Sequence, residues 1–194
     1  MAKVTTESKT LIYPMPTLLI GANVGDQPNF MTAAWSGIVS SVPPMITVGI
    51  RPDRHTLKGI LQNLTFSVNV PSVDQVREMD YCGIVSGTKT NKAKDCRFIL
   101  FYGKLHTAPM IEQCPVNLEC IVVHTLELGS HTLIVGRIEE TYISDDCLTS
   151  GEPDVEKIRP LTFVSQRGPV YLTHGEFVAK AFNIGREIIA DKSG

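Results

Sequence analysis

Two long apolar-rich segments that meet at a glycine limit the possible folds more than any other feature of this sequence. They are "VNLECIVVHTLEL" (116–128) and "SHTLIVGRIEETYI" (130–143), with Gly129 between them. Both are rich in β-branched residues, whose stiff side chains suit a pleated sheet. Gly129 supplies the turn chemistry of a hairpin or a bulge. The chain before this pair reads largely as shorter strands. "TLLIGANV" (17–24) is a strand that "GDQPN" returns through "NFMTAAWS" as a hairpin. Pro43-Pro44 interrupts any strand before "MITVGI", which is apolar enough to be buried, and "TFSVNVP" is another strand.

Helices are fewer. Leu57, Ile60, Leu61 and Leu64 in "TLKGILQNL" repeat at i, i+3, i+4, i+7, which predicts a helix laid on the sheet by its leucine face. Ser72 and Gln75 form the S-x-x-Q pattern of a capping box and predict a second helix through "VREMDYCGIV". "SGTKTNKAKD" (86–95) reads as a polar surface loop. The tail from Leu161 carries two short strands and a C-terminal helix. Six or more short strands with two or three outer helices predict a mainly β or α+β fold, an antiparallel Greek-key barrel. The 194 residues fit one domain, 1–194, with flexible ends at 1–10 and 190–194.

Totals and spacing exclude several function classes. A formal charge of −2 with no basic run argues against a nucleic-acid partner. The polar start "MAKVTTESKT" lacks a signal-peptide core, and no apolar run approaches the roughly 20 residues of a membrane span, so the expectation is a cytoplasmic protein without a membrane partner. Cys82, Cys96, Cys114, Cys120 and Cys147 include no C-x-x-C pair and read as free thiols. In "CPVNLEC", an extended strand would place Cys114 and Cys120 far apart on one face. The five histidines are scattered, which speaks against a metal site. There is no G-x-G-x-x-G, Gly87-Thr88-Lys89 lacks the glycine frame of a P-loop, and no G-x-S-x-G elbow occurs.

What remains is a constellation in "NFMTAAWSGIVSSVPPMITVGIRPDRHT" (29–56). Thr56 stands where the first helix begins, with Arg51, Arg54 and His55 just before it. A helix start with cations suits an anion such as a phosphate. The plainer reading is that Thr56 or Asp53 only caps the helix while the arginines are solvated. Lys89, Lys92 and Lys94 either close over the same anion or lie in solvent. Trp35 has small neighbours, Ala33, Ala34 and Gly37, that let a flat ligand approach the backbone, or else it is core. His131 at the start of a strand and Phe163 in "LTFVS" carry the same two readings.

Taken in order, these segments, with "FSVNVP", "CPVNLEC", "HTLIVGRI" and "KAFNIGREI", resemble the flavin-reductase-like, FMN-binding split-barrel family over nearly the whole chain, from about Tyr13 to Ile188. The resemblance implies a split barrel with FMN as cofactor. It implies that Asn29, Thr32, Ala33 and Ala34 present backbone groups to the isoalloxazine edge, that Trp35, His131 and Phe163 border the ring, and that Arg51, His55, Thr56 and Lys92 meet the ribityl-phosphate end. It further implies a homodimer with the flavin near the subunit interface, and an electron carrier between redox protein partners of the kind used in sulfate reduction. The alternatives are an NAD(P)H:flavin oxidoreductase on the same fold and a barrel that binds no flavin.

Overall fold

The computed structural model describes residues 1–165, 168–186 and 188. In chain order the strands are β1 (Met15–Pro16), β2 (Leu18–Val24), β3 (Gln27–Ala33), β4 (Ser36–Ser41), β5 (Pro44–Ile50), β6 (Thr65–Val70), β7 (Leu100–Phe101), β8 (Met110–Ile111), β9 (Val116–Leu128), β10 (His131–Ile143), β11 (Leu148–Thr149), β12 (Glu152–Pro153), β13 (Thr162–Val164) and β14 (Val170–Leu172). The helices are α1 (His55–Asn63), α2 (Val76–Ile84), α3 (Lys92–Asp95) and α4 (Val155–Ile158).

Seven strands form one antiparallel sheet in the order β3-β2-β6-β9-β10-β5-β4. Its backbone is the expected hairpin of β9 and β10. Leu128 pairs with His131 across a two-residue turn in which Gly129 has φ +62°, a conformation that costs glycine nothing. The sheet's two edge strands, β3 and β4, are consecutive in the chain and joined only by Ala34 and Trp35. Three peptide steps reach at most about 11 Å. The edges are therefore drawn together there and the sheet curls on itself, leaving a split where β3 and β4 do not pair.

Period-two alternation fills the inside of this curl. Leu18, Ile20 and Ala22 of β2 share a buried cluster with Met31, Val48, Phe66 and Ile134 from other strands. On the other face of β2 and β3, Leu19 and Phe30 meet Met79 and Cys82 of α2 and Ala93 of α3. Both faces of β2 are thus covered. Asn69, the asparagine of "FSVNVP", is buried and ties three elements: Nδ2 donates to Leu19 O at 2.9 Å, while Oδ1 accepts from Ile111 N at 2.9 Å and from Asn117 Nδ2 at 2.8 Å.

Helix α1 departs from its expected face. Leu57 and Ile60 join the inner core, but Leu61 and Leu64 are 46% and 53% exposed. Gly59 explains the rotation: it packs so close to Asn23 O at the end of β2 that no side chain fits. Leu64 ends the helix as a left-handed cap at φ +55°, its N–H on Ile60 O. The capping box stands, with Ser72 N donating to Gln75 Oε1 at 2.8 Å, and it opens a 3₁₀ turn (Val73–Gln75) that leads into α2.

The loop over 86–95 is only half a loop. Its second half is the turn α3, capped by Asn91 Oδ1 accepting from Lys94 N at 3.0 Å. Cys114 and Cys120 do not share a face, because Cys114 lies in the bend before β9 and joins the outer cluster while Cys120 lies in the inner one. The two tail strands are β13 and β14. Residues 181–185 are turns, and the rest of the expected C-terminal helix, like the expected flexible end at 190–194, falls largely outside the described residues.

Candidate functional site

The split between β3 and β4 is a cavity of about 320 Å³, whose lining includes Thr32, Ala33, Ala34, Trp35, Arg51, His131 and Phe163. Seven of the eleven residues that the resemblance assigns to the cofactor therefore meet in one place. A second cavity of about 390 Å³ shares Thr32, Ala34, Arg54 and Phe163 with it and continues toward Asp80, Gly83 and Tyr171. Each volume lies in the range of ordinary small-molecule pockets, roughly 300–1,000 Å³.

Local sequence explains the geometry. Trp35 is 42% exposed, so it is not core, and its ring stacks on that of His131 at 4.4 Å with 27° between planes. Gly49 lies beside them on β5, its N–H donating to Trp35 O at 2.8 Å. Ser130 Oγ lies 2.9 Å from His131 Nδ1 and orients the imidazole. Phe163 on β13 faces the same cavity and packs at 5.7 Å from Tyr171, whose hydroxyl donates to Asp80 Oδ1 at 2.7 Å. Burial of the phenol, with that bond to a carboxylate, pushes the Tyr171 pKa up.

The cations at this site have different freedoms. Arg51 forms only an exposed pair with Asp53 at 3.5 Å, worth little by itself. Arg54 is the cap residue of α1, and its Nη1 donates to Gly83 O at 2.8 Å in the last turn of α2, where a cation matches the helix dipole. Neither Thr56 nor Asp53 caps the helix.

A third cavity, about 300 Å³, lies between α1 and the 86–95 loop and is lined by Asn29, His55, Gly87, Thr88, Lys89 and Asn91 among others. Asn29 Nδ2 donates to the buried Thr56 Oγ1 at 2.7 Å, so Thr56 positions Asn29 rather than facing the cavity itself. A side chain at position 87 would collide with Asn29 Oδ1 and His55, which makes the glycine of "SGTK" a geometric need. Burial, with Lys58 and Lys92 as neighbouring cations, lowers the His55 pKa below its ordinary 6.5.

Lys92 lies apart from all three cavities. It is 3% exposed, and its Nζ donates to Phe30 O at 2.8 Å and Cys82 O at 2.9 Å, clamping α3 onto β3 and the end of α2. In the same loop it is Lys89, not Lys92, that lines a cavity. Asp80, Gly83 and Tyr171 of the second cavity carry no local pattern in the sequence that marks them.

The residues fit a flat, anionic, partly polar ligand. Among the described residues, two buried polar atoms have no partner, His55 Nδ1 and Thr17 Oγ1, and their residues line the third and second cavities. Buried polar groups nearly always find a partner, so such orphans suit groups supplied by a ligand. Among the described residues no cluster of side chains suited to a metal ion occurs.

Comparison with known proteins agrees with this geometry. The sequence profile of the flavin reductase like domain matches residues 10–168. The chain is similar to the crystal structure of flavoredoxin from Methanosarcina acetivorans, with TM-score 0.92 and 40% identity over 97% of this chain and 100% of that one. Flavoredoxin of Desulfovibrio vulgaris (Miyazaki F) gives TM-score 0.88 and 35% identity over 95% and 100%. An uncharacterised protein of Archaeoglobus fulgidus is 36% identical over 144 residues, 74% of this chain and 80% of its own length.

Proposed function

The chain belongs to the flavin reductase like family, a group of split barrels, and from that premise we propose that it is a flavoredoxin-like electron carrier that holds FMN in the split between β3 and β4. The observation that carries this reading is the cavity bounded by the Trp35–His131 stack and Phe163 with Arg51 and Arg54 on its lining. When bound, the flavin supplies one- and two-electron chemistry, and the protein sets its potential.

Each residue has a stated part. Trp35, His131 and Phe163 offer aromatic surface to the three-ring system and keep water from it. Ala33 and Ala34, with side chains too short to intervene, leave the edge backbone open to the polar rim of the ring. The phosphate lies toward the start of α1, where Arg51, Arg54 and Lys89 supply charge and neutral His55 and Asn29, the latter held by Thr56, supply hydrogen-bonding groups. Lys92 acts one step back, fixing the loop that carries Lys89. Ile38 and Val39 of β4 and Val42 just after it are exposed apolar side chains close in sequence to Trp35, which supports a homodimer that shields the site. Among the described residues no helix is long and apolar enough to cross a membrane, and we place the carrier in the cytoplasm with redox proteins as donor and acceptor.

The test is the visible spectrum of the purified protein with FMN, recorded anaerobically before and after NADH and then NADPH. The carrier reading expects a bound flavin that neither nucleotide bleaches and dithionite reduces fully. Rapid bleaching by either nucleotide would make the protein a reductase. Failure to take up FMN would overturn the flavin reading altogether.

A further inference from the structure

Two of the five cysteines, fourteen positions apart in the chain, meet beside α2. Cys82 is fully buried in the last turn of that helix, and Cys96, just after α3, is half-buried and packs against the same apolar cluster. Lys92 joins them: its carbonyl accepts from Cys96 N at 2.9 Å while its Nζ donates to Cys82 O at 2.9 Å. Cys96 Sγ lies 3.9 Å from Glu78 O, the carbonyl that the Cys82 amide reaches in helical geometry. Helix side chains lean toward the N-terminus, so the Cys82 thiol leans over that same turn. Both thiols therefore lie against one turn of α2, beside Glu78 O, and within the same apolar cluster.

The pair is unequal. Cys96 opens on a surface cavity of about 280 Å³ that it lines with Arg77, Glu78, Tyr81 and Asp95, whereas Cys82 has no outlet. The neighbouring Cys82 thiol holds the Cys96 pKa below that of a free thiol, against burial and the carboxylates of Glu78 and Asp95. The Cys96 neighbour and burial push Cys82 up. An accessible thiol poised to ionise, backed by a buried one, is the pairing of an attacking and a resolving cysteine.

We propose that Cys96 and Cys82 are a redox-active dithiol that low-molecular-weight disulfides, entering through the cavity lined by Arg77 and Tyr81, oxidise to an intramolecular disulfide. The Cys96 thiolate attacks one sulfur of the disulfide RSSR, forming a Cys96–S–S–R bond and releasing one RS⁻. Cys82 gives up its proton, attacks Cys96 Sγ and releases the second RS⁻. Two protein thiols are oxidised and RSSR is reduced to two RSH. Arg77 suits the carboxylates that such small thiols carry. The proposal stands whether or not the barrel holds a flavin.

Oxidised glutathione is the probe. The full-length protein is incubated with it anaerobically, quenched in acid, alkylated and mapped by mass spectrometry. The expected result is loss of two alkylatable thiols and a peptide cross-link between Cys82 and Cys96. Cys82→Ser is expected to stop at one glutathionyl group on Cys96, and Cys96→Ser to leave Cys82 reduced. An unchanged thiol count, a cross-link from Cys82 to Cys114 instead, or a Cys82→Ser protein without adduct on Cys96 would each overturn the assignment.

Discussion

Replacing Lys92 by methionine separates two roles that the sequence leaves open, phosphate contact and structural clamp. Methionine keeps most of the apolar stem and removes the ammonium. In the wild type that group is 3% exposed and donates to Phe30 O and Cys82 O at 2.8 and 2.9 Å. Cys82 O belongs to the last turn of α2, where carbonyls have no partner within the helix. Hydrogen bonds to a charged group contribute about 1.5–3 kcal/mol each, so the gross loss is about 3–6 kcal/mol. Against this stands the cost of burying the charge, which lowers the Lys92 pKa from its ordinary value and is relieved in the variant.

A net destabilisation of about 2–4 kcal/mol remains, and for a chain of this length it lowers Tm by about 10 °C. The assay is thermal unfolding of flavin-free wild type and Lys92→Met, paired with FMN titration well below both midpoints. The clamp expects a clear drop in Tm and FMN affinity that changes only a few-fold. A flavin-free Tm within about 2 °C of wild type, with FMN affinity weakened tenfold or more, would refute this reasoning and return Lys92 to the phosphate.

Phe163→Ala should weaken FMN binding by about 1–2 kcal/mol, roughly 5- to 30-fold by titration, because it removes one aromatic face of the cavity. A thermal midpoint close to wild type would accompany it, since the side chain is only half-buried. Gly59→Ala should cost about 2–3 kcal/mol in urea unfolding, because the new methyl meets a backbone carbonyl, Asn23 O, that cannot turn aside. His55 has a folded pKa below its ordinary 6.5, so between those values the unfolded chain binds more protons and stability rises with pH. The contribution of neutral His55 is present above 6.5 and is lost as pH falls through the folded pKa. His55→Asn should therefore flatten the acid side of stability measured from about pH 7.5 down to 5, and an unchanged slope would count against it.

Much of the fold is legible in the sequence wherever the signal is local. Gly129 between two long β-branched runs, the Ser72–Gln75 pair and the period-two strands each act within a few residues, and each appears in the structure. The aromatic and small-residue part of the site is legible for the same reason, since Thr32 to Trp35 are consecutive and His131 opens a strand. The rest depends on partners distant in sequence. Lys92 looks like one of three loop lysines until Phe30, 62 residues away, supplies a carbonyl. The face of α1 looks like four leucine-type positions until Asn23 takes the space beside Gly59. Asp80 and Tyr171 reach the second cavity from positions 91 residues apart, joined by one hydrogen bond.

The position of the site follows from the physics of the sheet. A strand at a sheet edge carries a row of backbone N–H and C=O groups without ladder partners, and proteins ordinarily cover or blunt such edges. Here both edges of one sheet are brought together by the link Ala34-Trp35, yet β3 and β4 do not pair, and the largest gathering of sequence-marked residues lies at that gap. The small side chain of Ala34 keeps the edge open, and the Trp35–His131 stack stands beside it. A flat ligand with hydrogen-bonding groups along its rim completes such an edge as a further strand would. A larger residue at Ala34 should then abolish FMN binding, read by titration, before it disturbs the barrel, because it blocks the open edge while the ladders on its far side stay intact.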